Sequence, residues 1–528
     1  MQFRAQKICA LCCIERKSEM INIDKVELNR ELTLEQLMAV ARFGAEVSFS
    51  EEYIKRVETA RKTVEDKVKN NEVVYGTTTG FGSLSNRFVP QEDAEKLQRN
   101  IVITHSVSVG EPLEEEAVRA IMLIALESYG AGVSGVRTET CMQYRDMLNR
   151  RVTPFVPKHG SVGYLTLEAH IACAAIGEGK AYFEEELLPA GEALKKAGLA
   201  PITLSYKEGL SLTNGNISVT ALSGLALFDL VNCARTADAV GAVSFEALHG
   251  LTSAYDERIM KVRGQREQSV TAENLLDLLE GSDICAASIG THVQDALSLR
   301  CIPQAHGAAK RVINDARRTI ETELMGCGDN PIFMEDGTAL SNGNPDGGFE
   351  GLAMDSCCMA AAYLAKMSER RNNRFIDENL SGYPAYLVKE PGLNSGLMIP
   401  QYSQAGILNE MRMLAVPATI DGVPTSANQE DYVSMAFNAC QKARKSAELL
   451  EYVLAIELFS DFQAQQFIPS EMKRGKGTGA ILELLGKHVR VMDEDYYLHP
   501  DIEKVRDLIH SGEVTEAAEK AAGIIKMI

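Results

Sequence analysis

The sequence predicts a mainly α-helical protein, with a long central helical bundle and an N-terminal, loop-rich region. Three observations lead there. The stretch from Met354 to Arg371 is rich in alanine and leucine at helical spacing, and a second such stretch runs from about Met435 to Phe462. Small residues in long apolar helices let axes approach, as a bundle requires. Finally, no Pro/Ser/Gly-rich tract divides the 528 residues into modules. Residues 21–528 are therefore expected to form a single body, with about 21–220 supplying the loop-rich region and about 221–528 the bundle and C-terminal helices. The start differs in character. Cys9, Cys12 and Cys13 sit among basic residues ahead of a second methionine, Met20. A zinc site would need a further ligand pair nearby, so residues 1–20 read as a disordered or mis-assigned start.

Thr33 with Gln36 forms a capping-box pattern ahead of Leu37, Val40 and Ala41, and Ser50 can cap a helix continuing through Val57 and Val64. The longest apolar run, Ile217 to Val231, carries Asp229 and is too short to span a bilayer. With 73 acidic against 54 basic side chains the net charge is −19, which argues against a nucleic-acid or anionic-membrane partner and for a small molecule. Twelve cysteines without framework spacing, and no signal peptide, fit a reduced, cytoplasmic setting. No metal site is indicated.

Several stretches carry candidate chemistry. Val73 to Gly82 holds three glycines and three threonines and must be a structured loop around Tyr75. A tyrosine has an ordinary pKa near ~10, so base duty there needs positive charge or hydrogen bonds that favour the phenolate. His105 ends an apolar stretch, a place where histidines are commonly structural. Gly160-Ser161-Val162-Gly163 turns into an amphipathic segment, Tyr164 to His170. Asn214 lies in an Asn-Gly pair that a plain turn would also explain. Gln294 to Gln304 contains Arg300, whose guanidinium fork suits bidentate grip of a carboxylate. Lys389 and Glu390 are the distinctive charges of a loop from Leu387 to Gln401, and Glu430 stands in Asn428 to Met435.

As a set, and over nearly all of the chain after Ile21, these stretches resemble the aromatic amino-acid ammonia-lyase and aminomutase family. The resemblance implies an ammonia-lyase-like fold and a homotetramer whose active sites draw loops from three subunits. It implies Tyr75 as the base that removes a β-proton, Arg300 as the carboxylate grip, and Glu430 beside the substrate amine. His105, Asn214 and Gln294 would contact substrate. The chain also departs from the family. A comparable Gly-Ser-Val-Gly is there followed by Ala-Ser-Gly, which cyclises to the electrophile methylidene-imidazolone. Here Gly163 passes directly to Tyr164, and the following helix falls into register only with three residues missing. Leu297 and Pro345 likewise stand where the family carries aromatic residues.

The electrophile assists departure of an amine that has a lone pair; a quaternary trimethylammonium has none and leaves as neutral trimethylamine. The lost tripeptide therefore points to an aromatic amino-acid betaine. The expected activity is elimination of trimethylamine from ergothioneine to give thiourocanate, as in the family's ergothionase branch, with no cofactor. Tyr164 would offer the cation a π-face worth about 0.5–2 kcal/mol, and Lys389 would stabilise charge developing on the thioimidazole. Two alternatives remain open: a conventional histidine or tyrosine ammonia-lyase whose cyclised tripeptide is missing from the written sequence, and a catalytically inactive homologue.

Overall fold

The structure, a computed structural model, describes residue 21 and residues 23–528; the expectation for residues 1–20 lies outside the described residues. Helices begin where the sequence supplies caps. Thr33 accepts the Gln36 N–H at 3.2 Å while Gln36 accepts the Thr33 N–H at 3.0 Å, so Leu34–Ala41 opens on a complete capping box. Ser50 caps Glu51–Lys69 through the Tyr53 N–H, and that helix buries Tyr53, Val57, Ala60, Val64 and Val68 at helical spacing. The first apolar stretch expected to be helical lies inside Gly348–Ile376, and the second, from Ala436 on, inside Ala436–Ala464, Met435 standing just ahead of the helix at φ +51°. Strands are confined to small two- and three-stranded sheets, among them the parallel pair Lys25–Leu28 and Glu46–Phe49. The fold is mainly helical, as expected.

The chain divides into two compact units, each assembled from separate segments. The first holds the described residues up to Leu225 together with Arg318–Met354 and Pro417–Gln441; the second holds Ala226–Arg317, Asp355–Val416 and Lys442–Ile528.

In the first unit the core helix is Glu115–Tyr129, buried continuously from Ala117. Its Arg119 donates to the carbonyls of Val40 at 2.8 Å and Leu148 at 3.0 Å, satisfying the C-terminal ends of two helices with one guanidinium. Gly209 lets the Glu208–Ser211 turn press against Ala94–His105: a Cβ there would meet the Gln98 carbonyl oxygen at 2.3 Å. Below that contact Lys207, fully buried, pairs with Asp329 at 2.9 Å and also donates to Ser211.

The second unit encloses a polar chain. Arg371 grips Glu457 through two nitrogens, and Ser244 Oγ lies 2.6 Å from Glu457 and 2.8 Å from Asp461. Burial and the neighbouring Glu457 hold the Asp461 carboxyl well above its ordinary value. Asp238, equally buried, is met by His306, Lys310 and Asn274.

The apolar run at 217 proves longer than the sequence reading allowed. It continues through Asp229, Arg235 and Asp238 to Ala247, 31 residues in all, because charged side chains within it find partners: Asp238 those just named, Arg235 the Glu519 carboxylate and the Ile525 carbonyl. By length and composition it could cross a membrane, but 83% of its most apolar window is buried inside the protein, the pattern of a core helix.

Candidate active site

The loop expected around Tyr75 is held by its own threonines. Thr78 Oγ1 accepts the Val74 N–H at 2.9 Å and donates to the Glu72 carbonyl at 2.9 Å. Gly76, at φ +61°, seats against Leu210, whose Cδ2 would stand 2.2 Å from an added Cβ. The chain then doubles back so that the Gly82 N–H donates to the Tyr75 hydroxyl oxygen at 2.8 Å. That bond favours the phenolate, as base duty requires, but burial and the negative charge of Glu430 outweigh it and push the phenol above its ordinary value.

Glu430 reaches this loop through a small antiparallel turn. Thr425 pairs with it across an isolated bridge and donates Oγ1 to its Oε2 at 2.7 Å, while Ser426 Oγ lies 3.0 Å from where a Cβ on Gly82 would stand. His105, at the end of Ala94–His105, meets the Ile101 carbonyl at 2.7 Å through Nδ1. A carbonyl only accepts, so Nδ1 carries the proton and Nε2 is left as an acceptor. Burial lowers the His105 pKa, opposed by that carbonyl and by Glu430. Phe81 packs on its ring at 5.2 Å. Tyr164 is raised to about 12 by burial and by the charges of Glu430 and Asp346. Tyr75, His105, Tyr164 and Glu430 are thus gathered within the first unit, and the common neighbour is Glu430. Asp346 and Thr425 join them although the motif reading named neither; Asp346 directly follows Pro345, where the departure from the family's aromatic was noted.

Asn214 belongs to the same unit, with its Nδ2 committed to the Asn330 carbonyl at 2.8 Å and to Asp329 at 3.2 Å. Gln294 and Arg300 lie in the second unit, Gln294 exposed and Arg300 half-buried on the short helix Leu297–Arg300, its Nε without a partner. Lys389, also in the second unit, is exposed and pairs with an exposed Asp493 at 2.6 Å, the geometry of a surface ion pair.

A profile of the aromatic amino acid lyase family matches residues 32–487. The chain belongs to the aromatic amino acid lyase family. It is 42% identical over 493 residues to the histidine ammonia-lyase of Caldanaerobacter subterraneus, with 93% of this chain and 97% of that protein covered. Among solved structures it is similar to the histidine ammonia-lyase of Trypanosoma cruzi, at a TM-score of 0.88 and 34% identity, covering 94% of this chain and 95% of that one. The ergothionase of Treponema denticola superposes with a TM-score of 0.87 at 26% identity, covering 93% and 99%. The lyase is a carbon–nitrogen lyase. The expectation of ergothioneine as substrate and trimethylamine as product is overturned, because full-length likeness is far stronger to histidine ammonia-lyases than to the ergothionase. A missing electrophile does not by itself identify the leaving amine, because a protonated primary amine also departs as a neutral molecule, ammonia.

The family's electrophile can be tested against the residues present. Its methylidene carbon comes from a serine that loses water, and neither Tyr164 nor Leu165 has a β-hydroxyl to lose. The backbone here makes a tight γ-turn instead: Leu165 adopts φ +75°, ψ −56°, with the Thr166 N–H donating to the Tyr164 carbonyl at 3.0 Å, immediately ahead of helix Thr166–Ala175. Such a turn is rare for a residue other than glycine and costs about 1–3 kcal/mol. The residues at this turn do not fit the cyclised group.

Proposed function

We propose that this lyase acts on L-histidine, releasing ammonia and leaving urocanate. The reading is carried by full-length likeness to histidine ammonia-lyases in a chain that places Tyr75, His105 and Glu430 together. In it Tyr75 removes the β-proton and Glu430 receives the α-ammonium. The unprotonated Nε2 of His105 is suited to accept the imidazole N–H, which favours this ring over a phenyl group. Burial is the larger of the two effects that raise Tyr75; the positive ammonium, set against Glu430, offsets the smaller one, and the Gly82 N–H continues to favour the phenolate.

No step passes through an electrophile. The β-proton goes to the Tyr75 phenolate, its electron pair forms the Cα–Cβ double bond, and the C–N pair leaves with nitrogen as neutral ammonia. The test is incubation of the full chain with L-histidine, L-tyrosine and L-phenylalanine in parallel, following urocanate by its ultraviolet absorbance and ammonia by an enzyme-coupled assay. Urocanate and ammonia in equal amounts from histidine alone are expected; no product from histidine would overturn the reading. A homotetramer is proposed on the family likeness and on a groove of about 420 Å³ lined by Met359, Tyr363 and Leu408, apolar and open on the second unit. Light scattering that returns a fully active monomer would contradict it.

A further inference from the structure

Charge around the missing electrophile points one way. Val219 stands between two glycine turns: its Cγ2 lies 3.8 Å from where a Cβ on Gly163 would be, and its Cγ1 3.1 Å from the same point on Gly347. This brings Tyr164, next to Gly163, and Asp346, next to Gly347, to opposite sides of one valine side chain. The charged groups facing the Tyr164 hydroxyl are Glu430 and Asp346, both negative. A separate observation marks the spot as built for a donor. Ser434, 2% exposed, aims its Oγ at the Gly163 turn, 3.4 Å from the would-be Cβ, and that oxygen has no hydrogen-bond partner. A buried hydroxyl is ordinarily satisfied, so an orphan at the turn that carries Tyr164 leaves a place for a polar group of a ligand.

We propose that Asp346 is a second substrate-binding carboxylate, which with Glu430 and the Ser434 hydroxyl cradles the substrate's α-ammonium across Tyr164. The inference rests on the amino-acid lyase reading above. An ammonium has three N–H donors, matching two carboxylates and one hydroxyl. Held in its protonated form, the nitrogen departs as neutral ammonia when the C–N bond breaks, the proton count balancing with the β-proton on Tyr75. The cradle binds and orients the protonated amine; it does not replace the covalent activation that the cyclised group gives in relatives that carry Ala-Ser-Gly. It also sets specificity: an acid lacking the amine gains nothing from it.

The experiment measures binding in a Tyr75→Phe background, which holds substrate without turning it over. L-Histidine and 3-(imidazol-4-yl)propanoate, the same molecule without its amine, are titrated calorimetrically, with and without Asp346→Asn. Loss of a carboxylate facing a bound cation should weaken histidine by at least ~10-fold while leaving the deaminated acid within about 2-fold, and Asp346→Glu should recover most of the difference. Unchanged histidine affinity, or equal loss for both ligands, overturns the cradle. Failure of the unsubstituted chain to form urocanate overturns the underlying reading instead, and is recorded separately from the titration.

Discussion

Glu168 offers a stability measurement that isolates one buried carboxyl. It sits in the first turn of Thr166–Ala175, 2% exposed, with Oε1 accepting the Ser218 N–H at 2.9 Å and Oε2 unpartnered. Burial pushes its pKa up to about 7, against which the Ser218 contacts work only partly. Because the folded value lies above the ordinary one of 4.5, the carboxyl's contribution is fully present below pH 4.5 and is lost as the pH rises through about 7. At about 1.4 kcal/mol for each pH unit, that rise corresponds to at most about 3 kcal/mol. Glu168→Gln imitates the protonated acid at every pH. Urea unfolding of both proteins, followed by circular dichroism at pH 5 and pH 8, should therefore give similar midpoints at pH 5. At pH 8 the variant should be the more stable by about 1–3 kcal/mol. Other titrating groups are common to both proteins and cancel in the difference. A gap that is the same at both pH values, or a native protein more stable at pH 8, would show that the carboxylate is ionised and solvated, and the reasoning from burial would be wrong.

Tyr75→Phe keeps the ring and removes the base, so histidine should still bind while kcat falls by ~10²–10⁴-fold; near-normal turnover would sink the elimination mechanism. Arg371→Met leaves Glu457 buried without its partner and should cost about 3–5 kcal/mol in unfolding experiments, whereas Arg371→Met combined with Glu457→Met should cost clearly less. Intact-mass spectrometry should return the mass of the encoded chain, with no loss of two waters, and borohydride should leave activity unchanged; a deficit of two waters would show a cyclised group that the residues at 163–166 do not supply.

Much of the fold was legible because its signals are local. The capping box at Thr33 and Gln36, the Ser50 cap and the loop around Tyr75 each depend on residues within a few positions of one another. The long helices were legible in kind but not in extent. The apolar run looked as if it ended at Val231, and what carries the helix on to Ala247 is partners such as Lys310 and Glu519, 72 and 284 positions away from Asp238 and Arg235. The site divided in the same way. Tyr75 and Glu430 could be named from motifs, but the charge that Glu430 lays on Tyr75, His105 and Tyr164 is a property of folded proximity. Lys389 read as a distinctive charge because nothing near it in sequence announces Asp493, 104 positions on. Asp346 carries no motif of its own in the sequence; its charge on Tyr164 exists only in the folded chain.

The helix Ile217–Ala247 has a consequence for how the protein is made. Its covering groups arrive late: Ser223 meets the Cys440 sulfur, 217 positions on, and Asn232 donates to the Ile509 carbonyl, 277 positions on. At a synthesis rate of ~5–20 residues per second, a 31-residue apolar helix leaves the ribosome roughly 15–55 s before its last partner exists. During that interval the nascent chain presents the length and hydropathy of a membrane span covered only by earlier partners such as Leu37 and Glu168 near its start. Chains ending ahead of residue 440 lack those later partners and should partition to aggregates or membranes more than the full chain does, as measured by the soluble fraction after centrifugation.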